Sequence, residues 1–152
     1  MDNRQRLILE MLARADARLE AQQQIALASD ARAMQLVGVL IAAAAVTTAI
    51  GEDAVSAVQW AIVVPLVLAA AAGIYAARPV GWYAPGMRPS AFNEDLDDDR
   101  DLADVQLELA RHLEACIEQN SEILRHNADA LRTAVLLAAC APVLGAIASI
   151  AV

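Results

Sequence analysis

The chain has 152 residues, of which 59% are hydrophobic, and a mean hydropathy of +0.44, above the usual balance of a water-soluble domain. Nineteen acids against eleven arginines, with no lysine, leave a net charge of −8, which argues against nucleic acid as a partner. No nucleophile–base pair, phosphate loop or HExxH is present, so the motifs predict no enzyme and no cofactor.

Residues 1–32 read as a charged helix. No proline or glycine occurs before Gly38. A seam with alternating steps of four and three runs Ile8, Leu12, Ala15, Leu19, Gln22, Ala26, Ser29, Ala33, the spacing of a modest coiled coil. The seam passes without a break into a block that carries no charge.

Three such blocks occur: 33–51, 54–77 and 133–152. A bilayer core of about 30 Å needs about 20 apolar helical residues to cross it, so each block is long enough to span. Buried helices of a soluble protein would keep a polar face toward water, and these keep none. The blocks hold 6, 9 and 7 alanines. Small residues let helix backbones approach closely in lipid, and the pairs Gly38–Ala42 and Ala69–Gly73, each four apart, are the candidates for such packing. An arginine-for-lysine, alanine-rich composition also fits a GC-rich genome.

Arg32 precedes the first block, Arg78 follows the second and Arg132 precedes the third, whereas the first two are joined by Gly51-Glu52-Asp53. The positive-inside rule then places the arginine ends in the cytoplasm and the Glu-Asp turn and C-terminus outside. Tyr75, Trp82 and Tyr83 fall near the inner interface and Trp60 near the outer one, as amphipathic rings prefer. The first apolar block begins too late for a secretory leader.

Residues 78–97 carry Pro79, Pro85 and Pro89, which favour extended backbone. Their aromatics, Trp82, Tyr83 and Phe92, suit a packed strap better than a flexible linker. Residues 98–132 read as a second charged helix that continues into the third span. Its seam is Ala110, Leu113, Ile117, Asn120, Leu124, Asn127, Leu131, Ala134. Asn120 and Asn127 lie one heptad apart, where a buried asparagine sets register and oligomeric state. The alternative seam, through Leu109, Cys116 and Ile123, leaves both in solvent. Leu113, Ile117, Asn120, Leu124, Asn127 and Leu131 are therefore the candidates for a seam between copies.

The acid cluster Glu94, Asp95, Asp97, Asp98, Asp99, Asp101, Asp104 lacks the EF-hand pattern. Counting from Asp95, the sixth and twelfth positions are Arg100 and Gln106 rather than glycine and glutamate. Acids at a helix start complement its dipole instead. His112 and Cys116 are too few for a zinc site, and no metal is expected. Cys116 and Cys140 lie 24 residues apart on one helix, about 36 Å, too far to bridge. The segment 78–132 has six arginines and twelve acids, so it should stand off an anionic lipid surface.

This layout resembles the small transmembrane effectors of bacterial anti-phage signalling, the Pycsar transmembrane effector-like family and its two-span relatives. Their Asp-x-Lys-Ala motif before the first span is matched by Asp30-Ala31-Arg32-Ala33, and their Arg-Pro after the second by Arg78-Pro79. The resemblance covers nearly the whole chain in layout, but no cyclic-nucleotide pocket is recognisable. It implies a membrane-perturbing effector triggered by a partner or ligand.

The expected fold is all-α, with three transmembrane helices, the first and third continuous with a cytoplasmic helical stalk. The expected partners are the lipid bilayer, further copies of the chain and a cytoplasmic protein. A scaffold whose acidic stalk docks such a partner is the alternative function.

Overall fold

A computed structural model describes residues 3–50, 56–86, 95, 98 and 100–151. Those residues form three helices and no strand: α1 (Asn3–Ala49), α2 (Ala57–Ala76) and α3 (Leu102–Ala151). Each is long and apolar enough to cross a membrane, and α1 and α3 run unbroken from their charged halves into their apolar ones. The architecture is therefore the expected all-α one. The Gly51-Glu52-Asp53 turn lies outside the described residues. So do Pro89 and Phe92 of the strap, and Glu94, Asp97 and Asp99 of the acid cluster.

The helix ends are set by local chemistry. Ser56 caps α2 with a capping box: its Oγ accepts from Gln59 N–H, and Gln59 Oε1 accepts from Ser56 N–H. Both orphan donors are thereby satisfied, and α2 begins at Ala57. At α3 the Asp101 carbonyl accepts the N–H groups of Asp104 and Val105, each at 3.1 Å. Before it, Arg100 N–H donates to the Asp95 carbonyl at 3.1 Å. The helix consequently starts at Leu102, four residues after the expected 98. Asp104 stands in its first turn, where a carboxylate favours the dipole.

The chain divides into two compact units: Met1–Ala26 with Val80–Ile123, and Leu27–Pro79 with Leu124–Val152. In the first, α1 and α3 pack in parallel. Arg4 meets Asp104 at 3.5 Å near the two helix starts, and Leu19 packs against Leu113, Cys116 and Ile117. In the second, α2 is antiparallel to both other helices. Its apolar centre joins Val37 and Leu40 of α1, Leu66, Ala69 and Ala70 of α2, and Ala141 of α3.

Candidate functional site: a polar clasp and a plane of prolines

The charged unit carries a buried polar cluster. Asn120 is fully buried. Its side-chain amide holds the main chain of Tyr83 at both ends: Nδ2 donates to the Tyr83 carbonyl at 3.0 Å, and Oδ1 accepts Tyr83 N–H at 3.2 Å. One side chain thus satisfies both backbone groups of an extended strap residue, as a neighbouring β-strand would. From α1, buried Gln22 donates through Nε2 to the Ile117 carbonyl at 3.0 Å and to Ser121 Oγ at 2.8 Å. Gln22 Oε1 and Trp82 Nε1 are buried without a hydrogen-bond partner among the described residues.

These contacts correct one expectation. The heptad spacing assigns Leu113, Ile117 and Asn120 to a seam between copies, yet they are buried within a single chain. They form the seam between α1 and α3, and Asn120 meets the strap rather than an opposite asparagine. The reason is geometric: the strap supplies unpaired main-chain groups at the level where a buried amide needs partners. The rotated alternative, with the asparagines in solvent, fails at Asn120, although Cys116 is also buried. Leu124, Asn127 and Leu131 are half-buried in the apolar unit. Cys116 Sγ lies 3.6 Å from His112 Nε2. Among the described residues no group of three His, Cys, Asp or Glu could hold a metal ion.

The acid cluster is also resolved in part. Arg100 bridges Asp95 at 2.6 Å and Glu108 at 2.8 Å. The hydrogen bonds that the Arg100 guanidinium donates to Glu108 and Asp95, and the charges of those carboxylates, push it above its ordinary pKa. Asp95 is thus engaged by an arginine.

In the apolar unit the packing residues divide unevenly. Ala69 and Gly73 are buried. A methyl at Gly73 would lie 2.7 Å from Val37 Cγ2. Gly38 and Ala42, expected to pack likewise, are exposed, and a methyl at Gly38 would meet nothing within 4 Å. α1 instead turns Val37 and Leu40 toward α2, because larger side chains fill the space that Gly73 opens. Gly145 is the packing glycine missing from the expected set: a methyl there would lie 2.6 Å from Ile62 Cγ1.

Those two contacts fix the axial register. Residue 73 is level with 37, and 62 with 145. Counting along at about 1.5 Å per residue puts Arg32, Arg78 and Arg132 within about one turn of each other. Arg32 and Arg132 are exposed, and the Arg78 guanidinium lies 3.7 Å above the Tyr75 ring. The same count sets Pro65 of α2 level with Pro142 of α3. Each proline denies a helical hydrogen bond to the carbonyl four residues earlier, here Ala61 and Ala138. Pro65 is buried and Pro142 exposed. An apolar groove of about 470 Å³ opens between α1 and α2, lined by Leu40, Ile41, Thr48, Val67 and Ile74 among others. Only 17%, 28% and 17% of the most apolar stretches of α1, α2 and α3 are buried, so most of this apolar surface faces outward.

No family model, curated protein or solved structure matches the chain.

Proposed function

We propose that the protein is a self-associating helical protein of the bacterial inner membrane that perturbs the bilayer when a partner or ligand acts on its charged unit. The N-terminus and the charged helices lie in the cytoplasm, and the C-terminus lies outside. The arginine belt supports this orientation, because three arginines at one level hold that end on the cytoplasmic side.

The observation that carries the reading is the shared level of Pro65 and Pro142 in a unit whose surface is largely outward-facing and apolar. Two carbonyls, those of Ala61 and Ala138, lack their helical donors around one plane of the apolar unit. In hydrocarbon such groups are costly until protein or water meets them. That plane is where the helices part most readily and where water entry is least opposed. The resemblance to anti-phage effectors supplies the class of function, and the small residues of the spans supply a means of self-association.

The test is membrane potential and dye leakage in cells on induction, with and without phage challenge. Depolarisation reduced by Pro65→Ala or Pro142→Ala, at unchanged insertion, supports the reading. An unchanged potential under every triggering condition removes it. The scaffold alternative is favoured by the acidic charge of 78–132, six arginines against twelve acids, which suits docking of a basic cytoplasmic protein. The orientation is tested separately, in a Cys140→Ser background. A cysteine at Gly51 should react with an impermeant thiol reagent from outside intact spheroplasts, and Cys116 should not.

A further inference from the structure

The charged unit has an outer face that the α1–α3 seam leaves uncovered. On α1, Leu7, Met11, Arg14, Arg18, Ala21 and Ile25 follow one another in steps of four and three, and all six are exposed. Leu7 is 63%, Met11 42% and Ile25 58% exposed, a poor arrangement for a helix face that stays in water. Beside this stripe runs a groove of about 210 Å³. Ala15, Ala110 and Ile117 contribute its apolar part, Arg14 and Arg18 stand on the α1 side, and Glu114 stands on the α3 side. Arg14 is held by Glu10 at 2.9 Å. Arg18 and Glu114 are exposed and have no ion-pair or hydrogen-bond partner among the described residues.

The register within the chain makes this face complementary to itself. Gln22 reaches Ile117 and Ser121, so residue 22 is level with about residue 119 in the parallel pair. Arg18 is then level with residue 115, within about 2 Å of Glu114 along the axis. A two-fold axis parallel to the helices keeps every residue at its own level while exchanging the copies. It brings α1 of one copy against α3 of the other, with Arg18 of each opposite Glu114 of the partner copy. The contact is isologous, so each charge pair occurs twice.

We propose that this face binds a second copy of the chain, with α1 and α3 of each copy forming a parallel four-helix assembly. The Arg18–Glu114 pairs set its register, and Leu7, Met11 and Ile25 supply its apolar contact. The proposal deepens the self-association in the function proposed above by naming its interface, which runs through this stripe and not through Asn120.

The test uses full-length chains with two different affinity tags, co-expressed and recovered together in lipid nanodiscs. Wild-type copies are expected to co-purify. Arg18→Glu paired with itself, and Glu114→Arg paired with itself, each place two like-charge contacts in the interface. Each should lower co-purification by about tenfold, two repulsive exposed contacts being worth that much together. Arg18→Glu co-expressed with Glu114→Arg restores opposite charges at both contacts, and recovery should return to within about twofold of wild type. A contact made inside one chain gives no such rescue, because each variant chain still carries two like charges. A mixed pair no better than the self-pairs overturns the proposal, and so does a wild type whose copies fail to co-purify, which would assign the face to another protein. Helicity and Trp82 emission, in a Trp60→Phe background, confirm that the variants fold. Dye leakage is read on the same strains. Leakage with a failed mixed pair rejects only the interface, and a rescued pair without leakage rejects only the effector function.

Discussion

The two units solve helix association by different chemistry. The charged unit is tied by buried side-chain amides: Asn120 on the Tyr83 main chain, and Gln22 on the Ile117 carbonyl and the Ser121 hydroxyl. The apolar unit leans less on such ties, although Gln59 Nε2 of α2 donates to the Thr47 carbonyl of α1 at 3.4 Å. Thr47, Thr48 and Ser149 each donate back to a carbonyl of their own helix. Its helices meet through missing side chains instead, at Gly73 against Val37 and Gly145 against Ile62. In water, apolar seams associate helices unaided, so the charged unit can use polar groups to choose register and to seat the strap. In lipid that drive is absent, and close backbone approach takes its place.

The sharpest way to break this comparison is to fill the gaps of the apolar unit. Gly73→Leu and Gly145→Leu should each destabilise it by about 3 kcal/mol, since a side chain there would overlap Val37 or Ile62. Reversible unfolding in bicelles by added SDS reads this directly. A loss under 1 kcal/mol at both sites would mean that the glycine contacts do not hold the helices together.

The charged unit should respond less to a change at its central tie. Asn120→Ala removes two hydrogen bonds and leaves the Tyr83 main chain to find water, a loss of about 2 kcal/mol. The strap should come away with it. Trp82 emission, read in a Trp60→Phe background, should shift to the red and become open to acrylamide quenching. Asn127→Ala, a heptad further along α3, should leave Trp82 unchanged. Equal shifts in the two variants would dissolve the special role of Asn120.

Smaller effects are expected at the prolines. Pro65→Ala and Pro142→Ala restore a helical donor to Ala61 and Ala138 and should stabilise the apolar unit by about 1 kcal/mol each. That is below the full cost of an interior proline, because neighbours and water already meet part of the freed carbonyl. The same unfolding assay measures it, and a loss of stability would show that the kinks themselves fit the packing. Gly38→Leu should change stability by less than about 0.5 kcal/mol, because its site is open. A loss as large as that of Gly73→Leu would place Gly38 in a contact between copies.

Much of the fold is legible in the chain itself. Charge-free blocks of about 20 residues determine the spans, because no other run of residues satisfies both the backbone and the bilayer. The absence of proline and glycine before Gly38 allows α1 to continue from charged to apolar without a break. The three-four periodicity identifies the inward faces of α1 and α3, and Ile8, Leu19, Leu113 and Ile117 are all buried. Periodicity is a property of one helix, so one sequence is enough to reveal it.

What each face meets was decided only in three dimensions. The Asn120 position marks an amide that must be buried, but nothing in its neighbourhood says that Tyr83, 37 residues earlier, would receive it rather than another asparagine. Gly38 and Gly73 look alike as small residues four from an alanine, yet only Gly73 sits where a partner helix presses. The level match of Pro65 with Pro142, and of Arg32 with Arg78 and Arg132, depends on the offset between helices. That offset is set by a few contacts between residues far apart in the chain, such as Gly145 with Ile62 and Gln22 with Ser121. Those contacts are properties of pairs, and no local pattern in either member encodes them.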